Sequence, residues 1–316
     1  MEKSEALGIF QEFLGSHGKK KLVITTHGKA DVDGLASAFA MSKMLPDSII
    51  AISDVLNEGA TQLAEKLGIE TKLLKFIDKK DYDGMVLVDT SSSTLIPEAK
   101  DWDLLLIIDH HQDQGRDLTA EFTIIDSESP STAEIIAPFL EEVPHDVAFA
   151  LSVAIIADGA RFKSARANSF RTLADLMDKS GAEYKEMLAI AEPEMKAEAK
   201  IAILKAFSRV QTVFAGGYII ATSEVGSNES DSAALISEAA DVAFVASWKD
   251  KEQESRISAR ARKHVHIPLN EVLAQVGKEL GGAGGGHAKA AGASVKAHTD
   301  EVLQTCIDVF IRMSTR

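Results

Sequence analysis

Three apolar runs in this chain, residues 22–25, 84–88 and 104–108, each lead directly to acidic residues or histidines. The first opens onto Thr26-His27-Gly28-Lys29-Ala30-Asp31-Val32-Asp33-Gly34, the second stops at Asp89, and the third stops at Asp109-His110-His111. A strand buried on both faces reads as a continuous apolar run, as in a parallel sheet. Such a strand has no packing reason to finish in carboxylates or imidazoles three times over. Around these runs, apolar residues recur at helical spacing over 35–45, 57–67 and 145–157,. Strands alternating with helices in this way predict βαβ units, hence an α/β fold with a mainly parallel sheet and flanking helices. Ligands of open α/β sheets bind beyond the carboxyl ends of the strands. The same feature therefore sets the fold class and marks where chemistry would sit.

The rest of the chain extends the pattern. Residues 2–14 read as an amphipathic helix and 48–53 as a strand. Residues 127–142 read as a helix opening on the capping-box-like Ser131-Thr132-Ala133-Glu134,. The apolar helix over 145–157 runs into Asp158-Gly159, and a carboxylate there is costly unless paired or bound to a cation,. Helices are expected over 168–179 and 184–191. Residues 193–213 are charge-patterned and helical, which marks a connector ended by Gly216-Gly217. A smaller α/β region follows, with strands over 218–222, 242–247 and 255–261 and helices over 230–240 and 269–280. The expected organisation is thus 1–192, a helical linker 193–213, and 214–316, with a cleft between the two domains.

At 316 residues, two domains are the natural expectation,. The net charge of −14, from 48 acidic against 34 basic residues, argues against passive binding of long duplex nucleic acid,. It leaves room for a small anionic substrate, because a cation and a few arginines invert the field locally. The one cysteine, Cys306, falls on the apolar side of a helical pattern and reads as a core residue. The first residues lack a signal-peptide pattern, and no apolar run reaches the roughly 18 residues of a membrane span,. A cytoplasmic protein is expected.

His27, Asp31, Asp33, Asp89, His110 and Asp158 make six hard or borderline donors, the complement that two divalent ions about 3.5–4 Å apart require,. Imidazole with carboxylate suits Mn²⁺ or Mg²⁺. Asp31 and Asp33 share a parity in an extended turn, so both could face one point, and either could instead cap the following helix. The adjacent His110 and His111 cannot point the same way from extended backbone. One can bind metal while the other faces substrate or leans on Asp109. His145 stands at a helix start and reads as structural. Later, Gly284-Gly285-Gly286-His287, followed by small residues, reads as a tight turn whose N–H groups could cradle an anion,. Arg260, on a preceding strand, is a candidate for pairing a phosphate.

Taken together these motifs resemble the DHH phosphoesterase superfamily. The resemblance is carried by His27-x3-Asp31-x-Asp33-Gly34, Asp89, Asp109-His110-His111 and Asp158-Gly159. It is completed by Gly284-Gly285-Gly286-His287 with Ala290-Ala291-Gly292, in the family's order along nearly the whole chain. The late motif is similar to the DHH-associated domain of stand-alone nanoRNase/pAp-phosphatase-like proteins. Three departures stand out. Ala30-Asp31-Val32-Asp33 replaces a common Pro-Asp-Gly-Asp, Asp158-Gly159-Ala160 replaces Asp-Thr-Gly, and Gln112-Asp113-Gln114 lacks a family-typical Asn. None removes a ligand.

The resemblance implies one Mn²⁺ on His27, Asp31 and Asp89, and a second on Asp33, Asp89, His110 and Asp158. It implies a catalytic role for His111 with Asp109, and substrate contacts from Arg260, Gly284, Gly285, Gly286 and His287. The expected function is Mn-dependent hydrolysis of phosphodiesters or phosphomonoesters in short oligonucleotides or small nucleotides, including exonuclease action. A homodimer is compatible with this reading. The alternatives are a phosphatase or pyrophosphatase acting on a non-nucleotide phosphate, and a catalytically silent nucleotide-binding adaptor.

Overall fold

The computed structural model describes residues 3–111, 116–159, 162 and 164–314. The departures at Gln112-Asp113-Gln114 and Ala160 therefore lie outside the described residues, as does Glu2. The chain divides into two compact units, Met1–Glu194 and Met195–Arg316.

In the first unit the strands are β1 Leu22–Thr25, β2 Lys29–Ala30, β3 Ser48–Ile52, β4 Val55–Leu56, β5 Lys72–Leu73, β6 Gly84–Val88, β7 Leu104–Asp109 and β8 Phe122–Ile125. The helices are α1 Lys3–His17, α2 Val32–Met44, α3 Glu58–Leu67, α4 Thr132–Ile136, α5 His145–Asp158, α6 Ala167–Ser180 and α7 Tyr184–Ala191. Six strands form one sheet in the order β5-β3-β1-β6-β7-β8, and every pairing in it is parallel.

The apolar runs are explained by burial on both faces. Leu22, Ile24, Val86, Val88 and Ile108 face the core made with α1, α2 and α5, while Val23, Met85, Leu87 and Ile107 pack on the opposite side. The chain goes from β1 outward to β3 and β5 on one side, and from β6 to β7 and β8 on the other. That reversal beside β1 and β6 opens a crevice at the carboxyl ends of the strands. His27, Asp89, His110 and His111 follow strands at that edge, and Asp109 ends β7 there.

The expected helix over 127–142 is shorter. It is α4, followed by a tight 3₁₀ turn at Ala137–Phe139, because Pro138 has no N–H to continue the ladder,. Helix α5 is apolar all round and wholly packed along most of its length, which carries Asp158 to its last turn. His145, at its first position, is exposed.

In the second unit the strands are β9 Gln211–Ala215, β10 Tyr218–Glu224, β11 Val242–Lys249, β12 Glu254–Ala261, β13 Ala283–His287 and β14 Ala290–Val295. The helices are α8 Ala197–Ser208, α9 Glu229–Ile236, α10 Leu269–Glu279 and α11 Thr299–Ser314. The sheet order is β13-β14-β12-β11-β10-β9, with only β10 and β11 parallel. Its core includes Phe244, Phe310 and the buried Cys306.

The stretch 193–213 is helical only over α8. That helix groups with the second unit, where the Ser223 hydroxyl donates to the Ala206 carbonyl at 2.8 Å. Val213 already belongs to β9, and Gly216-Gly217 supplies the left-handed hairpin turn into β10.

The glycine stretch differs from expectation. It is not a turn but the edge strand β13, paired antiparallel to β14. The glycines let α10 approach. A Cβ on Gly284 would fall 2.1 Å from the Leu273 carbonyl oxygen, and Gly286 has φ +129°.

Candidate metal centre

Asp89 organises the site. It follows β6 in the left-handed region, with φ +61°, a conformation in which Asp is tolerated better than most residues,. Its N–H donates to the Ile108 carbonyl at 2.8 Å, which fixes this turn against β7. Its buried carboxylate then meets side chains from two directions. His27 Nε2 lies 3.6 Å from Asp89 Oδ2 and 3.7 Å from Asp31 Oδ1. His110 Nε2 lies 3.5 Å from Asp89 Oδ1 and 3.1 Å from Asp158 Oδ2.

The two aspartates of the first motif separate at this point. Asp31 is the N-cap of α2, accepting the Gly34 N–H at 3.0 Å, and groups with His27 and Asp89. Asp33 sits in the first turn of α2, buried, and groups with His110 and Asp158. A common facing from extended parity is therefore not what places them, because the helix begins between them. Capping and clustering coexist at Asp31. Both oxygens of Asp33 accept N–H groups from the start of α4, those of Thr132 at 2.7 Å and Ala133 at 2.9 Å.

The histidines are oriented by their other ring nitrogens. His110 Nδ1 lies 3.2 Å from the Ser129 carbonyl, which can only accept. Nδ1 therefore carries a proton, which leaves Nε2 as the atom facing Asp89 and Asp158, the usual support for a metal-binding imidazole,. Asp109 serves His111 alone. Its Oδ1 accepts the Nδ1–H at 2.8 Å and the His111 N–H at 3.1 Å, and its Oδ2 accepts the Ser91 hydroxyl at 2.6 Å. The rings of His110 and His111 lie side by side, centroids 4.4 Å apart. The expected divergence fails because the chain bends at His111.

The electrostatics suit a bound cation. Burial, then the charges of Asp89, Asp158 and Asp31, raise the pKa of Asp33 well above the usual carboxylate range. Burial opposes a charge on His27, but Asp31 and Asp89 outweigh it and push the imidazole up to about 10. Asp158 rises to about 6, chiefly through burial, against the pull of His110. For Asp31 and Asp109 burial again works upward, but hydrogen bonds win. Those from His27 and Gly34 lower Asp31, and those from His111 and Ser91 bring Asp109 down to about 2. The hydrogen bond to Asp109 raises His111. Carboxylates and imidazoles at this density hold extra protons unless a cation replaces them, and they are the donors that hard or borderline divalent ions take. Three groups of side chains could hold such an ion: His27, Asp31 and Asp89; Asp33, His110 and Asp158; and Asp89, His110 and His111. Asp89 and His110 each belong to two of them, and of the two only the carboxylate of Asp89, with two oxygens, could be shared between two ions,.

The family profile of the DHH family, N-terminal domain, matches residues 21–158, and that of the DHHA1 domain matches residues 216–312. An uncharacterized protein of Methanocaldococcus jannaschii is 31% identical over 325 residues, covering 93% of this chain and 95% of that protein. The chain belongs to the DHH superfamily. Its DHH domain carries the groups of side chains that could hold metal and its second unit contains the DHHA1 domain; the chain is a metal-dependent hydrolase of phosphate esters.

Two solved structures share the fold. An exopolyphosphatase-related protein of Bacteroides fragilis superposes with a TM-score of 0.80 at 14% identity, covering 99% of this chain and 97% of that one. A pGpG-specific phosphodiesterase of Vibrio cholerae gives 0.51 at 14% identity, covering 93% and 99%. Among the described residues, no helix is long and apolar enough to cross a membrane.

In the DHHA1 domain, Arg260, Ala290 and His287 stand in one row across β12, β14 and β13, and so share a face of the sheet,. The Arg260 guanidinium donates to the Ser230 hydroxyl at 2.8 Å and the Ala259 carbonyl at 3.1 Å, while His287 is exposed. Gly285 pairs with Gly292, two residues along from that row. Sequence reasoning missed Ser91, Ser129 and Thr132. The only signal was the string around Ser131, read as a helix cap, which it also is, since Ser131 accepts the Glu134 N–H at 3.2 Å.

Proposed function

We propose that this DHH protein hydrolyses phosphate esters of short oligoribonucleotides and small nucleotides, with 3′-phosphoadenosine 5′-phosphate and linear or cyclic dinucleotides among its substrates. The observation that supports this most is the single carboxylate of Asp89 facing His27 and Asp31 on one side and His110 on the other. In this reading His27, Asp31 and Asp89 hold one divalent ion, and Asp33, Asp89, His110 and Asp158 hold the second. Manganese is the ion proposed ahead of magnesium. When bound, such a pair supplies a nucleophilic water near neutral pH and offsets charge on the phosphoryl oxygens.

The protein's own groups do the rest. Asp109 fixes the proton on His111 Nδ1, so Nε2 is free to meet substrate, and the raised pKa favours the imidazolium. That cation contacts the scissile phosphate or gives its proton to the departing oxygen. Arg260 and His287, with the Gly284-Gly285-Gly286 backbone, take a terminal phosphate or nucleotide. The acidic chain as a whole fits an end or short strand better than a long duplex,. We read residues 1–192 as catalytic and 214–316 as substrate-binding, in a cytoplasmic enzyme that is monomeric or homodimeric.

A second reading, hydrolysis of a non-nucleotide phosphate such as a polyphosphate or pyrophosphate, draws support from the fold shared with the exopolyphosphatase-related protein. A silent nucleotide-binding adaptor is disfavoured by the retention of all six ligand candidates. Turnover of a dinucleotide, 3′-phosphoadenosine 5′-phosphate, polyphosphate and inorganic pyrophosphate with Mn²⁺ separates these readings. The proposal expects the nucleotides to be preferred, and preference for the inorganic phosphates would overturn it.

A further inference from the structure

Thr132 reaches both halves of the cluster from an element that contributes no ligand. It is the first residue of α4 and is wholly buried. Its hydroxyl donates to Asp89 Oδ1 at 2.9 Å, and its backbone N–H donates to Asp33 Oδ2 at 2.7 Å. The next N–H, of Ala133, takes the other oxygen of Asp33 at 2.9 Å. One residue thus joins two carboxylates that arrive separately, Asp33 on α2 and Asp89 after β6.

We propose that Thr132 is a positioning residue of the metal centre, its hydroxyl fixing the rotation of the Asp89 carboxylate so that Oδ1 faces His110 and Oδ2 faces His27. This rests on the two-ion reading above. The rotation of an aspartate carboxyl about its Cβ–Cγ bond is soft, so backbone position alone does not aim its oxygens. The left-handed turn at Asp89 sets where the carboxyl stands but not how its plane lies. The Thr132 hydroxyl supplies that orientation. With Oδ1 held toward α4 and His110, Oδ2 is left facing His27. Because the backbone of the same residue also grips Asp33, the two carboxylates keep a fixed separation whatever α2 and β6 do independently. Ser131 secures the grip by capping α4, accepting the Glu134 N–H. The Ser129 carbonyl, three residues before Thr132, orients His110. Residues 129–133 therefore form one support behind three ligands.

The test is Mn²⁺ binding by titration calorimetry on the full-length protein at fixed pH, alongside the thermal midpoint of the metal-free protein. Thr132→Val keeps the branched shape and removes the hydroxyl, whereas Thr132→Ser keeps the hydroxyl and removes the methyl. Loss of an outer-shell partner of this kind weakens metal affinity about 10–100-fold. The expected result is that loss in Thr132→Val and near-wild-type affinity in Thr132→Ser, with the Mn²⁺ concentration giving half-maximal turnover shifted in parallel. Should Thr132→Val not fold, Thr132→Ala carries the same expectation. Wild-type Mn²⁺ affinity in the hydroxyl-free variant would overturn the proposal. So would an equal loss in Thr132→Ser, which would assign the effect to packing. Failure of the wild-type protein itself to bind Mn²⁺ would overturn the two-ion reading along with it.

Discussion

Asp109 accepts the Nδ1–H of His111 at 2.8 Å while lying wholly buried, so the charge that orients the imidazole is itself shielded from water. The Ser91 hydroxyl holds the second oxygen of that carboxylate. A group used for proton transfer typically contributes about 10²–10⁴-fold to rate, so His111→Ala should lower kcat by that order. Ser91→Ala, acting through Asp109, should lower kcat by less. Both should leave metal content at the wild-type value, measured on the purified protein by elemental analysis. Loss of metal in Ser91→Ala would place the chain of hydrogen bonds in metal retention instead.

The pH behaviour follows from the signs of the shifts. In metal-free protein the folded pKa of His27, about 10, lies above its ordinary 6.5. The stability it contributes is complete below about pH 6.5 and is lost as pH rises toward 10,. Asp158, raised from 3.8 to about 6, acts in the same direction lower down, since ionising it in the buried cluster costs stability as pH climbs through that interval,. Asp109, depressed to about 2, works oppositely, and its contribution is lost on acidification below its ordinary 3.8. Divalent ions need the unprotonated imidazole, so Mn²⁺ binding should release protons and tighten as pH rises through neutrality. Calorimetry in buffers of different ionisation enthalpy measures the release. The gain in thermal midpoint on Mn²⁺ addition should grow over the same range. A gain independent of pH would contradict the assignment of His27.

Two neighbouring glycines of β13 should respond differently to the same substitution. Gly284→Ala drives a methyl to 2.1 Å from the Leu273 carbonyl oxygen, where α10 packs on the strand. Overpacking of this kind costs about 1–3 kcal/mol, readable as a lowered denaturant midpoint. Gly285→Ala meets nothing within 4 Å and should leave the midpoint unchanged. Any effect of Gly285→Ala on KM then reports on substrate rather than on folding.

The fold was legible because β1, β6 and β7 are buried on both faces and must be written in apolar residues, because α3 carries its own periodicity, and because the apolar stretches of α2 and α5 are too long for strands,. The six side chains from His27 to Asp158 stood out because carboxylates at the ends of buried elements have no packing explanation. What did not show was the support. Ser129 acts through its carbonyl, which any residue possesses, and Thr132 through a hydroxyl at a position where hydroxyls commonly serve helix starts. The glycine stretch misled for a related reason. Missing side chains permit a turn or a close approach equally, and only the neighbouring α10 decides that β13 is a strand.

The substrate contacts proposed for the DHHA1 domain are testable separately from metal binding. Arg260→Ala and His287→Ala should raise KM for a dinucleotide more than they lower kcat, with metal content unchanged. Arg260→Lys should not restore the wild-type value, because an ammonium cannot form the paired hydrogen bonds of a guanidinium. A fall in kcat alone would move these residues from holding substrate to the reacting atoms.

The most direct measurement is the number of Mn²⁺ ions bound per chain, by titration, in the wild type and in Asp89→Ala. Two ions in the wild type, at most one in Asp89→Ala, and a loss of turnover beyond the roughly 100-fold of an outer-shell change are the predicted results. A wild type that binds fewer than two, or an Asp89→Ala protein that still binds two and turns over normally, would contradict the shared-carboxylate centre.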